Sequence, residues 1–303
     1  MSLTTMRDLM RIWRRHPVTR GNVIGSMRRF ATWQLASRLH GGKLVVPFVH
    51  PTRLVIARGQ TALTGNIYFG LMEMQEMAFL LHYLRGTDVF VDVGANMGSF
   101  SVLASGVAGA RSIAFEPIDA TITEFREQLR LNDIVDRVDI RAVALGAEVG
   151  TVKFLDTLNT VNRVVADGET GTASRDVPQS TLDIELACIA PALIKMDVEG
   201  YEYAVLQGAS QVLAKPSLEA IIMEVHEGTS TYGVDRAALE AIVHDAGFKP
   251  YTYDATRRAL TSTDFAAAHA HGLSDNVLMI RNIEAVRGRV SAAPPFSVLG
   301  VSF

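Results

Sequence analysis

The chain is poor in the residues that staple or punctuate a fold, with one cysteine, two tryptophans and ten prolines in 303 residues. A single thiol, Cys188, cannot close an intramolecular disulfide, so the core must hold the fold and a reducing compartment suits it. Cys188 is itself expected to be a buried structural thiol. No apolar run approaches the roughly 18 to 20 residues that span a bilayer, and no uninterrupted apolar core follows the charges of the N-terminus. A cytoplasmic protein is expected. Excess charge is lacking too, because 29 Lys+Arg against 32 Asp+Glu leave a net −3. That balance gives no footprint for nucleic acid and points to a small or neutral partner.

What is present is a 48% hydrophobic composition, enough for one full α/β domain and an accessory segment. Charge is unevenly spread along it. Residues 1–40 hold eight arginines and one acid, Asp8, a net +7, which leaves about −10 for the remainder. Leu9, Met10, Ile12, Trp13, Phe30, Trp33 and Leu35 are interleaved at helical spacing, with breaks near His16-Pro17 and Gly21. Two readings stay open for this segment. One is a solvated cap packed on the main domain; the other is an interfacial helix pair that touches anionic lipid or a glycan assembly at the inner face of the membrane.

From Lys43 to Phe69, β-branched residues among Pro47, Pro51, Gly59 and Gly65 predict short strands and turns, followed by a helix from about Leu71 to Leu84. Strand and helix patterns then alternate. Strands are expected at 88–93, 111–115, 138–143, 151–155, 192–196, 218–225, 248–253 and 276–281, with helices between them. Alternation of this kind predicts a Rossmann-like, mostly parallel sheet with helices on both faces and its ligand at the carboxyl ends of the strands. The chain therefore divides into an N-terminal extension over 1–85, the main domain over 86–285 and a tail over 286–303. The polar stretch Asp156 to Gln179 reads as a long substrate loop.

The sharpest local signal is Val91-Asp92-Val93-Gly94-Ala95-Asn96-Met97-Gly98, a strand running into a glycine turn and a helix. Gly94 and Gly98 allow the backbone a close approach to a ligand. The dinucleotide spacing G-x-G-x-x-G fails at two of three positions, where Asn96 and Ser99 stand. Asp92 ahead of the turn disfavours a pyrophosphate and favours a cationic amino group. S-adenosylmethionine has that group and no phosphate. Glu116, in Phe115-Glu116-Pro117 at the end of the next strand, is placed to bind ribose hydroxyls.

Ile194-Lys195-Met196-Asp197-Val198-Glu199-Gly200 puts two acids at the end of an apolar strand, and Met223-Glu224-Val225-His226 ends the next one. If these strands are neighbours, Asp197, Glu199, Glu224 and His226 converge on one rim, a costly arrangement without function. His226 is the first candidate for a general base and Glu199 the second. The same set has the donors for a divalent cation, although no metal is assigned.

The motifs VDVGANMG, FEP, KMDVEGYE and MEVHEG, in this order over roughly Val89 to Ile280, resemble the FkbM family of S-adenosylmethionine-dependent methyltransferases. The resemblance implies a seven-stranded class I methyltransferase sheet and O-methylation of a sugar, a glycan or lipopolysaccharide precursor, or another natural product. It implies that Asp92, Gly94, Asn96, Gly98 and Glu116 hold S-adenosyl-L-methionine, that Asp197, Glu199 and Gly200 lie beside the methyl group, and that Asn132 is either a further cofactor residue or a helix C-cap. Rival readings are a non-catalytic binding protein on the same fold and an NAD-dependent oxidoreductase. Oligomeric state and acceptor identity have no sequence signal.

Overall fold

The computed structural model describes residues 6–155, 163–166, 174–225, 232–265, 267 and 276–303. Two helices, α1 (Met6–Arg15) and α2 (Val23–Leu39), open the chain, and Asn22 caps the second by accepting from the Gly25 N–H. A hairpin follows, β1 (Leu44–Pro47) with β2 (Arg53–Ile56), and then α3 (Thr61–Phe69) and α4 (Met74–Tyr83). The hairpin supplies the expected short strands, and α3 departs from the expectation only over Thr61–Phe69. Gly65 within it lets Met72 pack close, since a Cβ there would stand 2.1 Å from the Met72 sulfur; the glycine that suggests a turn in the sequence instead admits a neighbouring side chain.

The main domain is built from β3 (Val89–Val93), α5 (Ser99–Gly106), β4 (Arg111–Phe115), α6 (Asp119–Leu131) and β5 (Val138–Arg141) on one side. The other side holds β9 (Leu193–Met196), α8 (Glu202–Gln207), α9 (Ser210–Leu213), β10 (Ala220–Glu224), α10 (Arg236–Asp245), β11 (Lys249–Asp254), β12 (Ala259–Ser262) and β13 (Asn276–Ile280). The strand order is β12-β11-β13-β10-β9-β3-β4-β5, with β13 antiparallel to both its neighbours. Seven strands follow the expected doubly wound arrangement, and β12 adds an eighth at the edge through a hairpin with β11. Only Leu260 of β12 is buried, so its sequence lacks a strand-like apolar pattern. Strand order reverses between β3 and β9, and the carboxyl ends of β3, β4, β9 and β10 face one crevice there.

Between β5 and β9 lies a separate three-stranded sheet of β6 (Ala144–Leu145), β7 (Gly150–Leu155) and β8 (Ser174–Ser180), followed by α7 (Leu182–Glu185). The last part of the expected long loop is thus a strand, paired with β7 along its length. Its first three residues and Pro178 are exposed, and Val177, Gln179 and Ser180 are buried. Residues 156–162 and 167–173 of that loop lie outside the described residues. Cys188 is exposed rather than buried, because it sits in the surface connection from α7 to β9.

One apolar cluster joins Trp33, Phe48, Leu63 and Met77 to Phe90, Leu193 and Ile222 of the sheet. It also takes in Val286 and Val290 of α11 (Ile283–Ser291) and Val298 from the small hairpin β14 (Ser297–Val298) with β15 (Val301–Ser302). Packing is therefore continuous across residues 86 and 285. Among the described residues no helix is long and apolar enough to cross a membrane.

Candidate active site

The turn after β3 is pinned before any ligand arrives. The Gly94 and Ala95 N–H groups both donate to the Phe115 carbonyl at 3.1 and 3.0 Å, which ties the turn to the end of β4. Gly94 has φ +74°, and a Cβ on it would lie 1.9 Å from the Asp197 carbonyl oxygen, so only glycine lets β3 and β9 close at this point. Asn96, at φ +49°, donates its N–H to Glu116 Oε2 at 3.1 Å. Glu116 Oε1 accepts from the Ile118 N–H at 3.0 Å. Burial raises the Glu116 carboxyl to about 7, against those two backbone donors that pull it down.

Parallel pairing of β9 with β10 brings the second acidic group together. One ligand-capable oxygen from each of Asp197, Glu199 and Glu224 lies within 4.8 Å of the others. Glu199 holds φ +56°, unusual for a residue with a Cβ, and Gly200 follows at φ +97°; such strain is typical of residues fixed for function. Lys195, 4% exposed, donates to Asp197 Oδ2 at 2.7 Å and lies 4.8 Å from the Phe100 ring centroid. Burial alone would lower its pKa, but Asp197, Glu73 and Asp92 outweigh it and hold the ammonium charged. The carboxylate set has the donors of a hard cation, with a fixed ammonium already bound to one of them.

These residues line a cleft of about 290 Å³ that contains Gly94, Asn96, Glu116, Lys195, Asp197, Glu199 and Glu224. Two of the sequence-derived candidates, Asp92 and Gly98, are not part of its lining. Asp92, 1% exposed, accepts from the Ser101 hydroxyl at 2.7 Å behind the turn, and Lys195 lies close enough to oppose the rise in its pKa that burial causes. Gly98 begins α5 at φ +78°, and the space its Cβ would need is filled by the Phe125 ring; its role is packing. Asn132 lies away from the cleft. It is the C-cap of α6, and its side chain exchanges two hydrogen bonds with the Arg53 backbone on β2, each 2.8 Å. His226 lies outside the described residues.

Two carboxylates that the sequence does not single out complete the site. Glu73, just before α4, lines the cleft with Thr61, Ala62 and Met72, and its Oε2 accepts from Asn276 Nδ2 at 2.7 Å. Burial pushes it to about 7, with Lys195 opposing and Asp197 and Glu76 adding to the rise. Glu202, 1% exposed, accepts from the Val198 and Gly200 N–H groups at 3.1 and 3.2 Å and so braces the turn that carries Glu199. A Glu three residues beyond another acid is the one local hint of it.

A family model described as a methyltransferase FkbM domain matches residues 92–250, just over half of the chain. The chain belongs to the FkbM methyltransferase family. The hexuronic acid methyltransferase AglP of Haloferax volcanii is 28% identical over 178 residues, which cover 56% of this chain and 69% of that protein. Among solved structures, an rRNA methylase from Streptococcus thermophilus is 13% identical with a TM-score of 0.38, over 67% of this chain and 91% of its own. The precorrin-6y C5,15-methyltransferase of Geobacter metallireducens is 14% identical with a TM-score of 0.37, over 69% and 86%. Likeness that distant bears on neither substrate nor mechanism.

As an FkbM methyltransferase the protein takes its methyl group from S-adenosylmethionine, and the cleft suits that donor. Five carboxylates (Glu73, Glu116, Asp197, Glu199 and Glu224) face it against one ammonium, Lys195. A donor bearing a sulfonium and an ammonium is drawn to such a lining, whereas the pyrophosphate of NAD is repelled. The glycine turn and Glu116 at the end of β4 line the same cleft.

Proposed function

We propose that this FkbM methyltransferase methylates a hydroxyl group of a sugar or glycan precursor. The observation that carries the reading is the acidic cleft at the strand-order reversal, where a cationic donor fits beside carboxylates able to take a proton. The donor supplies an electrophilic methyl group on sulfur. The acceptor oxygen forms the new O–C bond as the S–C bond breaks, and its proton must leave to a base. Glu199 and Glu73 are the cleft carboxylates suited to that, while His226, the first candidate from the sequence, lies outside the described residues. Glu73 is favoured because burial holds its carboxyl at about 7, where a base is effective near neutral pH. Glu116 and the Gly94–Asn96 turn hold the adenosine side, and Lys195 holds Asp197 in place by its hydrogen bond.

The sugar class is supported by the relative that methylates a hexuronic acid and by a second hollow of about 840 Å³ that starts at Gly200, next to Glu199. Its lining includes Tyr201, Tyr203, Tyr232, Gln207 and Lys153. Aromatic faces suit the C–H face of a pyranose, and the amide and ammonium suit its hydroxyl or carboxylate groups. The test is calorimetric titration with S-adenosylhomocysteine and with NAD, with and without magnesium, followed by labelled methyl transfer to uronic acid and neutral sugar glycosides. Micromolar homocysteine-product binding with label appearing on a sugar hydroxyl is expected. Binding of NAD instead, or label on none of the sugars, overturns the proposal.

A further inference from the structure

Helix α2 is built inside out. Its buried positions hold Ser26, Trp33 and Ser37, while Ile24, Leu35 and Leu39 are 72%, 62% and 74% exposed. At 100° per residue, Ile24, Met27, Arg28, Leu35, Arg38 and Leu39 fall within about 120° of arc on the outward side. An isolated exposed leucine needs no explanation, but a continuous apolar stripe does. Five of the nine large hydrophobic side chains exposed among the described residues lie in α1 and α2, counting Met6, so the exposure is concentrated there.

The charge beside the stripe has one sign. The α2 sequence contains Arg28, Arg29 and Arg38 and no acid. The neighbouring α1 presents Arg7, Arg11, Arg14 and Arg15 around a surface hollow, and its one acid, Asp8, is engaged by Arg11 at 3.7 Å. The inner sides of both helices are anchored. Trp13 and Trp33 are buried, and His16 Nε2 bonds the Leu71 carbonyl at 2.9 Å.

We propose that the outward face of α1 and α2 docks on an anionic phospholipid bilayer, with the α2 stripe at the acyl boundary and the arginines among the headgroup phosphates. The two features select this partner together. A soluble polyanion would satisfy the arginines and leave the leucines in water. A second copy of the chain would cover the leucines but set Arg28 and Arg38 against their own equivalents. A bilayer with acidic headgroups satisfies both.

The test is co-sedimentation of the full chain with phosphatidylcholine vesicles and with vesicles that also contain phosphatidylglycerol, at low and high salt. Binding at least about tenfold stronger to the anionic vesicles is expected, and high salt should weaken it. The Leu35→Glu/Leu39→Glu pair and, at the other end of the stripe, Ile24→Glu should each lower it about tenfold or more, with the far-UV circular dichroism unchanged. Because these side chains are exposed, the substitutions leave the core intact. Equal binding to both vesicle types, no binding to either, or variants that bind like the parent chain overturn the proposal. So does a dimer in solution that Leu35→Glu dissociates, which would assign the face to a second copy.

Discussion

Glu73, Glu116 and Glu202 share one condition, since burial lifts each from the usual 4.5 to about 7. Between those values the folded chain binds protons more tightly than the unfolded one. The stabilisation is complete below about pH 4.5 and is lost as pH rises through about 7. Glu73→Gln, which cannot ionise, should therefore be more stable than the parent toward denaturant near pH 8 and no different near pH 4. Its catalysis should move the other way. If Glu73 takes the acceptor proton, kcat/KM of the parent rises with pH through an apparent pKa near 7, and Glu73→Gln is about 100-fold slower and lacks that limb. An unaltered pH profile in the variant would return the role to the sequence candidates, His226 and Glu199. Glu116→Ala probes the other end of the cleft. Loss of a charged hydrogen-bond acceptor of about 1.5 to 3 kcal/mol predicts S-adenosylhomocysteine binding weaker by about tenfold to a hundredfold, read by calorimetry, with the rate at saturating donor largely kept.

At the scale of elements, two glycines in one turn have different reasons to be glycine. A Cβ on Gly98 would meet the Phe125 ring, a side chain on α6, whereas one on Gly94 would meet the backbone of the Asp197 turn. Gly98→Ala should cost roughly 2 to 4 kcal/mol in urea unfolding, from overpacking and a positive φ, and Phe125→Leu in the same chain should recover part of it. Gly94→Ala has no such partner to trim. The strands β3, β4, β9 and β10 are legible in the sequence because both of their faces are largely buried and they read as short, mostly apolar runs. Their chemistry is legible for a related reason, since acids directly after such runs must stand at the carboxyl rim. Where one face is wet the signal fades. The strand β8 buries Val177 amid polar neighbours, and the edge strand β12 buries Leu260 alone. Glu73 leaves no local pattern at all, because its partner Asn276 is 203 residues away. Asn132 fits two sequence readings, and contact with Arg53 on β2, 79 residues away, gives it the structural one.

At the scale of the whole molecule, the N-terminal helices are joined to the catalytic domain by two layers of unequal depth. Trp33 packs in the main cluster with Phe48, Met77 and Val298, while Trp13 belongs to a small cluster with Leu9 and Phe69. These are the two tryptophans of the chain, so each can be observed by replacing the other with phenylalanine. A side chain in the main core should lose its environment only when that core unfolds, and one in a satellite cluster can open sub-globally at lower free energy. In denaturant, the emission of Trp33 in Trp13→Phe should therefore shift together with the loss of far-UV circular dichroism. The emission of Trp13 in Trp33→Phe should shift at lower denaturant concentration, reporting α1 leaving the surface while the sheet stays folded. Coincidence of all three transitions would make the cap and the domain a single cooperative unit. Early release of Trp33 would instead detach α2 from the core, and with it the inward serines that hold its apolar stripe outward.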